Sequence, residues 1–417
     1  MKTWLTYLAA AAMGIAFELT FGNNASFVWS MGILSEIVLK LGIFIVFPLA
    51  LFSMSAGTAS LSRKKGSGSF VIISSVLWAA LSAIVLSFFG ALLFRVFPAT
   101  ITASSDLSGN SEQVAALFES LTNMYSAVNP LSVNSFVNFI KTGDCLLPVL
   151  FLALVFGFAL RPTSEIIRPA YITLNSISEA MFRLARKVSK LLWLGVFFLA
   201  GTWLDKLWTD GTVITSWKFI TLLCISLMVL LLVLVPLLYA LCTGFRRNPY
   251  RQIMRLFSSA VAAFFSGNCL FCQSTLYTDC RVNMGIQKSV VSTALPVHSI
   301  LTKGGTALIS TLCTCSFVYA ANGTIPSFTQ IVTISFACTL VSFVCCLHTG
   351  FEVLLGTAFA IKLLKINISG FELVIVSLLP LLNGIALLFD VLLSGLGTSF
   401  TAYHLKADCH VRKRDTV

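Results

Sequence analysis

The chain has 417 residues, 57% of them hydrophobic and only 11% charged, with a mean hydropathy of +0.92. That composition belongs to a multi-span membrane protein. The formal charge of +12 does not indicate a nucleic-acid binder, because the basic residues sit in short loops between apolar runs, the positive-inside distribution.

The first apolar run, Leu5–Leu19, has no convincing small-residue cleavage site before Phe21-Gly22-Asn23-Asn24 and reads as a retained helix entering from the cytoplasm. A second run, Ile33–Ala56, ends in Ser62-Arg63-Lys64-Lys65-Gly66, whose adjacent positive charges put that loop inside. The third, Phe70–Phe97, returns to the outside and stops at Pro98. The stretch Ala99–Gln113 has no Lys or Arg and fits an external loop, while Val114–Asn138, with Asn129-Pro130, reads as short broken helices. A fourth span, Cys145–Leu160, leads into Arg161-Pro162. Next, Thr163–Lys190 carries Arg168, Arg183, Arg186, Lys187 and Lys190 among periodic apolar positions. It is expected to lie on the cytoplasmic surface as an amphipathic helix and to run into a fifth span, Leu191–Trp203. After an external loop at Asp205–Gly211, the sixth span, Phe219–Leu241, ends inside at Phe245-Arg246-Arg247-Asn248-Pro249-Tyr250-Arg251.

Beyond Arg255 the spans become interrupted. Around Ala260–Leu276, two apolar pieces too short to cross a bilayer flank a Ser266-Gly267-Asn268 tip, and a charged turn follows at Asp279–Lys288. This reads as a hairpin dipping in from the cytoplasm. The piece Ser289–Ala320 crosses outward, with breaks expected at Pro296 and at Gly304-Gly305. An external loop, Asn322–Ser327, precedes a second hairpin, Ile331–Leu364, which turns around His348-Thr349-Gly350-Phe351-Glu352. Finally Phe371–His404 crosses inward to a basic tail with Lys406, Arg412, Lys413 and Arg414, so both termini are expected in the cytoplasm. Two hairpins from opposite sides, each followed by a polar crossing helix, form an inverted repeat. Broken backbone at membrane depth is tolerated only inside protein or against a polar cavity, and in secondary transporters it marks the solute and ion site.

Two charged positions stand out there. On the last helix, Asn383, Asp390, Ser394 and Thr398 are spaced by seven, four and four, so they share one face. A lone membrane aspartate is costly. Asp390 either meets a cationic group of the solute or a proton, or it forms an ion pair with Lys303; both can hold in alternating states. The Cys269–Cys272 pair, with Cys280, Cys313 and Cys315, lacks the second pair of a zinc site, and His298 and His348 have no helical spacing to it. The thiols therefore read as small apolar fillers, with no metal and no structural disulfides. No nucleophile-base motif, phosphate loop or ATP signature is present, which argues against an enzyme, a cofactor and an ATP-driven pump.

Over nearly its whole length the chain resembles the dicarboxylate/amino acid:cation symporter family, the prokaryotic glutamate-transporter homologues. The resemblance is carried by FPLALFSMSAGTASLSRKKG from Phe47, NPLSVNSF from Asn129, LGVFFLAG from Leu194 and, most strongly, STALPVHSILTKGGTAL from Ser292. It implies an all-α polytopic membrane protein with eight transmembrane helices, two re-entrant hairpins, a homotrimer and an elevator motion. Residues 1–250 would be mainly scaffold and trimerisation helices, with helices 3 and 6 packing on the other half. Residues 251–406 would form the transport core and 407–417 a basic cytoplasmic tail. The family's Asn-Met-Asp-Gly-Thr becomes Thr302-Lys303-Gly304-Gly305-Thr306, so the sodium-holding acid falls on Gly304 and is absent. The serine-rich tip of the first hairpin falls on Cys269-Leu270-Phe271-Cys272, and the Gly-Val-Pro-Gly tip of the second on Gly350-Phe351-Glu352-Val353. In the last helix the substrate-gripping arginine falls on Asp390, and the Asn and Asp after it fall on Ser394 and Thr398.

The resemblance thus implies solute contacts at Thr306, Gly350, Asp390, Ser394 and Thr398. A cation or tethered-cation site is implied at Thr302, Lys303, Gly304 and Ser394, and a hairpin gate at Cys269, Cys272 and Glu352. Lys303 either stands in for a bound sodium or snorkels to an interface, and Glu352 is either a gate or a solvated tip. The expected function is secondary active transport of a small polar organic solute, most plausibly a neutral or cationic amino acid, across the cytoplasmic membrane. Sodium coupling is in doubt, and the proton is the other candidate ion. The alternative is a diverged member acting as a facilitator, a channel or a structural membrane protein.

Overall fold

Apolar runs of this length satisfy their backbone in lipid by coiling on themselves. The computed structural model describes residues 3–61, 67–101, 146–160, 165–208, 215–345, 350–364 and 371–407, and no strand occurs among them. The first half comprises α1 (Thr3–Phe21), α2 (Ala25–Leu61), α3 (Ser67–Val96), α4 (Leu147–Ala159), α5 (Arg168–Trp208) and α6 (Trp217–Cys242). The expected surface helix and fifth span are one continuous helix, α5, of 41 residues, since no proline interrupts it after Pro169. Pro236 in α6 has no N–H to offer the carbonyl of Leu232, which instead accepts from the Tyr250 hydroxyl at 2.9 Å.

The second half contains two helical hairpins. In the first, α7 (Pro249–Ser266) is capped by the Asn248 side chain and ends at Gly267, whose φ of +59° reverses the chain. The return arm, α8 (Gln273–Thr278), continues as a wider turn over Asp279–Asn283. A crossing segment follows as α9 (Lys288–Leu301) and α10 (Gly304–Asn322), separated at Thr302-Lys303. The second hairpin consists of α11 (Phe328–Val344), started by a Ser327/Gln330 capping box, and α12 (Glu352–Leu363). The chain then runs through α13 (Phe371–His404).

The break expected at Pro296 does not occur, because α9 is helical through it. A proline removes one backbone hydrogen bond but keeps a helical φ, and neighbouring helices support it. The break falls instead at Thr302 (ψ 91°) and Lys303 (ψ 40°), just ahead of the paired glycines that open α10.

Among the described residues, seven segments are long and apolar enough to cross a membrane: α1, α2, α3, α5, α6, α9–α10 and α13. The other expected span, α4, has 13 described helical residues, about 20 Å against a hydrocarbon thickness of about 30 Å. Several expectations lie outside the described residues: the broken helices at Val114–Asn138, the Arg63-Lys64-Lys65 loop, His348 and the tail beyond Ala407.

Burial separates the two halves. In their most apolar windows, 83% of the α9–α10 residues and 78% of those in α13 are buried, against 28–44% in the first five spans. The broken segment α9–α10 and the last helix α13 are therefore the core of the molecule. Around them, the outer helices expose Ile33, Ile37, Leu41 and Phe44 on α2, and Ile73, Leu77 and Ile84 on α3. These are the side chains a lipid-facing surface carries.

Candidate functional site

The site is built on the break between α9 and α10. Where a helix begins, its first backbone N–H groups have no partner within the helix and carry the positive end of its dipole. Here they find Asp390 of α13. Its Oδ1 accepts from the backbone nitrogens of Gly305 (2.6 Å) and Thr306 (3.3 Å), and its Oδ2 accepts from the Thr306 hydroxyl at 2.7 Å. Asp390 is 1% exposed. Only a glycine lets α10 come this close, since a Cβ on Gly305 would strike the Ala386 carbonyl and lie 2.7 Å from the Cβ of Phe389.

The lysine of the break turns to the second hairpin. Lys303 Nζ lies 3.3 Å from Glu352 Oε1, and the two side chains are 2% and 1% exposed. Glu352 opens α12, and its other carboxylate oxygen accepts from the Gly350 nitrogen at 2.8 Å. Asn383 of α13 holds the same tip from behind. Its amide nitrogen donates to the Gly350 carbonyl, and its oxygen accepts from Val353 N at 3.4 Å. Gly350 has φ +98°, and a Cβ there would lie 3.9 Å from the Gly267 carbonyl, so the two hairpin tips meet.

These contacts bear on three alternatives that the sequence left open. The carboxylate placed against Lys303 is that of Glu352, while Asp390 caps a helix. Glu352 is no solvated tip, and Lys303 does not reach an outer surface. The pairing of Lys303 with Glu352 cannot be read from spacing, since the two are 49 residues apart.

The remaining residues of the polar face are tied to the scaffold of the break. Ser394 Oγ donates to the Asp390 carbonyl at 2.7 Å and to the His298 carbonyl at 3.2 Å, joining α13 to α9. The Thr398 hydroxyl bonds back to the Ser394 carbonyl at 2.9 Å. The Thr302 N–H donates to the His298 carbonyl at 2.8 Å. Its hydroxyl is 3.5 Å from the Nδ1 of the fully buried His298, whose Nε2 is 3.2 Å from both Ser75 Oγ and Thr401 Oγ1. At the first hairpin, Cys272 Sγ donates to the Cys269 carbonyl at 3.0 Å, and both thiols are free and buried.

Two residues escaped the sequence reading. Asp279, placed in a charged turn, is 2% exposed and accepts from the Ser258 hydroxyl (2.8 Å), Ser259 N (3.3 Å) and Asn283 Nδ2 (2.8 Å). It locks the arms of the first hairpin together, and only the Ser258-Ser259 pair 20 residues away hinted at it. Gln273 begins the return arm beside Cys272. It is fully buried, with neither end of its carboxamide hydrogen-bonded among the described residues. On the outer side of the meeting tips is an open cleft of about 860 Å³. It is lined by Ser266, Asn268, Gly350, Phe351 and Asn383 on one side and by Glu36, Trp203, Asp205 and Lys206 on the other.

Comparison with known proteins agrees with this architecture. Excitatory amino acid transporter 1 of Rattus norvegicus is 26% identical over 255 residues, 60% of this chain and 44% of that protein. Serine/threonine transporter SstT of Bifidobacterium adolescentis is 26% identical over 277 residues, 64% of this chain and 58% of that protein. For SstT of Acinetobacter baumannii the identity is 24% over 319 residues, covering 75% of this chain and 74% of the relative. The chain thus spans less than two thirds of the first two relatives. The profile of the sodium:dicarboxylate symporter family matches residues 3–392, and the chain belongs to that family of multi-pass membrane transporters, not to the enzymes.

Proposed function

We propose that the protein is a secondary active transporter, symporter-like, for a small polar organic solute, with a neutral or cationic amino acid first. The observation that carries this reading is the helix break itself: a lysine, a glutamate and an aspartate buried together beneath two meeting hairpin tips. Charges are held at such depth at a cost that an inert bundle has no reason to bear. The relatives named for serine and threonine and for excitatory amino acids support an amino acid. Gly350, Thr306, Asp390, Ser394 and Thr398 make our solute site.

In this reading residues 251–406 move as the transport core, in an elevator motion against a scaffold formed mainly by residues 1–250. The unit is a homotrimer with both termini in the cytoplasm. The gate is formed by Glu352 with Cys269 and Cys272. The coupling ion is where this chain departs from its family. No acid stands at Gly304 or Thr398, and the break carries Lys303, whose ammonium turns to Glu352; with Thr302, Gly304 and Ser394 it makes our cation site. We take Lys303 as a tethered cation, so that uptake does not require sodium and the proton is the ion to test.

The test is uptake of a labelled amino-acid panel by purified protein in liposomes, with and without sodium and proton gradients. Uptake of a neutral or basic member without sodium is expected. Sodium-driven uptake of aspartate or glutamate would overturn both the solute class and the tethered cation. The missing acids at Gly304 and Thr398 favour a second reading, a facilitator or structural member without coupling. A folded protein that never accumulates any solute against its gradient would put that reading first.

A further inference from the structure

We propose that the Lys303–Glu352 pair closes the second hairpin over the empty carrier, so that the protein supplies from its own chain the charge that holds its gate shut. The inference rests on the transporter reading above and concerns the step that reading leaves open, the return of the carrier without solute.

Ahead of the closely packed α12, two polar contacts join the described residues of the second hairpin tip to the core. Glu352 pairs with Lys303 at 3.3 Å, and Asn383 grips the Gly350 carbonyl and the Val353 nitrogen. Lys303 belongs to the α9–α10 break and Asn383 to α13, so both anchors lie outside the hairpin. Glu352 also fixes the shape of the tip, through its 2.8 Å bond from Gly350 N. Lifting the tip therefore separates a buried ammonium from a buried carboxylate.

Two opposing effects set the strength of this closure. Within the core the attraction is little screened, whereas an opened tip lets water solvate both groups and repay their desolvation. Because the two terms are large and opposed, the pair makes a reversible closure and not a permanent lock. Neither partner comes from a solute or an ion, so the closed state is available to the empty site. Asp390 meanwhile accepts from Gly305 and Thr306, so its contacts fix the start of α10 and not the hairpin tip.

The consequence separates two modes of transport. Net uptake into empty vesicles needs the carrier to return unloaded. Exchange against internal solute returns the carrier loaded, with the solute itself closing the gate. Glu352 is then a positioning residue for the unloaded step.

The experiment compares both modes in proteoliposomes, using the amino acid the panel identifies. It uses the parent protein, Glu352→Gln, and the double variant Lys303→Met with Glu352→Gln, which removes both charges of the pair and guards against misfolding of the single variant. In both variants net uptake is expected to fall at least about tenfold further than exchange does, each relative to the parent. Equal losses in the two modes, or no loss in either, would overturn the gate. Absence of transport in either mode by the parent protein would instead remove the transporter reading on which the gate depends.

Discussion

A lysine and a glutamate that approach to 3.3 Å, each at most 2% exposed, stand or fall together. Removing one partner leaves an uncompensated buried charge, which costs on the order of 3–5 kcal/mol, whereas removing both leaves only Asp390, which the first N–H groups of α10 already hold. Lys303→Met and Glu352→Gln are each expected to lower the thermal unfolding temperature in detergent. The double variant should recover most of the loss. Simple addition of the two single effects would mean that the pair is not coupled. At this scale the sequence made the residues visible as charges within apolar runs, but it left their partners open. Spacing along one helix relates Asp390 to Ser394 and Thr398, yet it carries no information about a group on another helix.

At the scale of elements, the break depends on how closely α10 approaches α13. Gly305→Ala would drive a Cβ against the Ala386 carbonyl and Phe389, pushing the start of α10 away from the Asp390 carboxylate that caps it. The expected loss is on the order of 1–3 kcal/mol, read as a lowered unfolding temperature. As a control, Gly68→Ala in α3 has nothing within 4 Å of the new methyl. There the better helix propensity of alanine should raise stability by up to about 1 kcal/mol. If Gly305→Ala behaves like Gly68→Ala, the helices are not held at this distance. Hairpins and crossing segments were legible from their length, tips and charge, because each is a local pattern. Pro296 was misread because a proline signals a lost hydrogen bond, and whether the helix then bends or continues is settled by the helices packed around it.

The two halves of the molecule meet at a charged contact as well as an apolar one. Glu179 of α5 lies 2.9 Å from Arg281 and 3.3 Å from Lys288, the residues that follow the first hairpin. Arg281 also sits over the ring of Phe182, 4.5 Å from its centroid. If residues 251–406 move against α5, this contact must break and re-form in each cycle. Glu179→Arg is expected to lower the rate of net uptake, and adding Arg281→Glu should restore it. Because Glu179 is about a third exposed, the effect on stability should be small, roughly 1 kcal/mol or less after solvent screening. A double variant no faster than Glu179→Arg would show that the charges there do not act as a pair.

By itself the sequence determined the membrane class, the almost wholly helical build, and the position of an unusual lysine in a broken segment. These follow from hydropathy, charge and punctuation within windows of a few turns. Only the tertiary structure decided what the buried charges do, because the contacts that define them join residues 49, 84 and 85 positions apart. A helix N-terminus attracts a carboxylate and a buried ammonium demands one, but two carboxylates were on offer. Packing brought Asp390 to the backbone of α10 and Glu352 to Lys303.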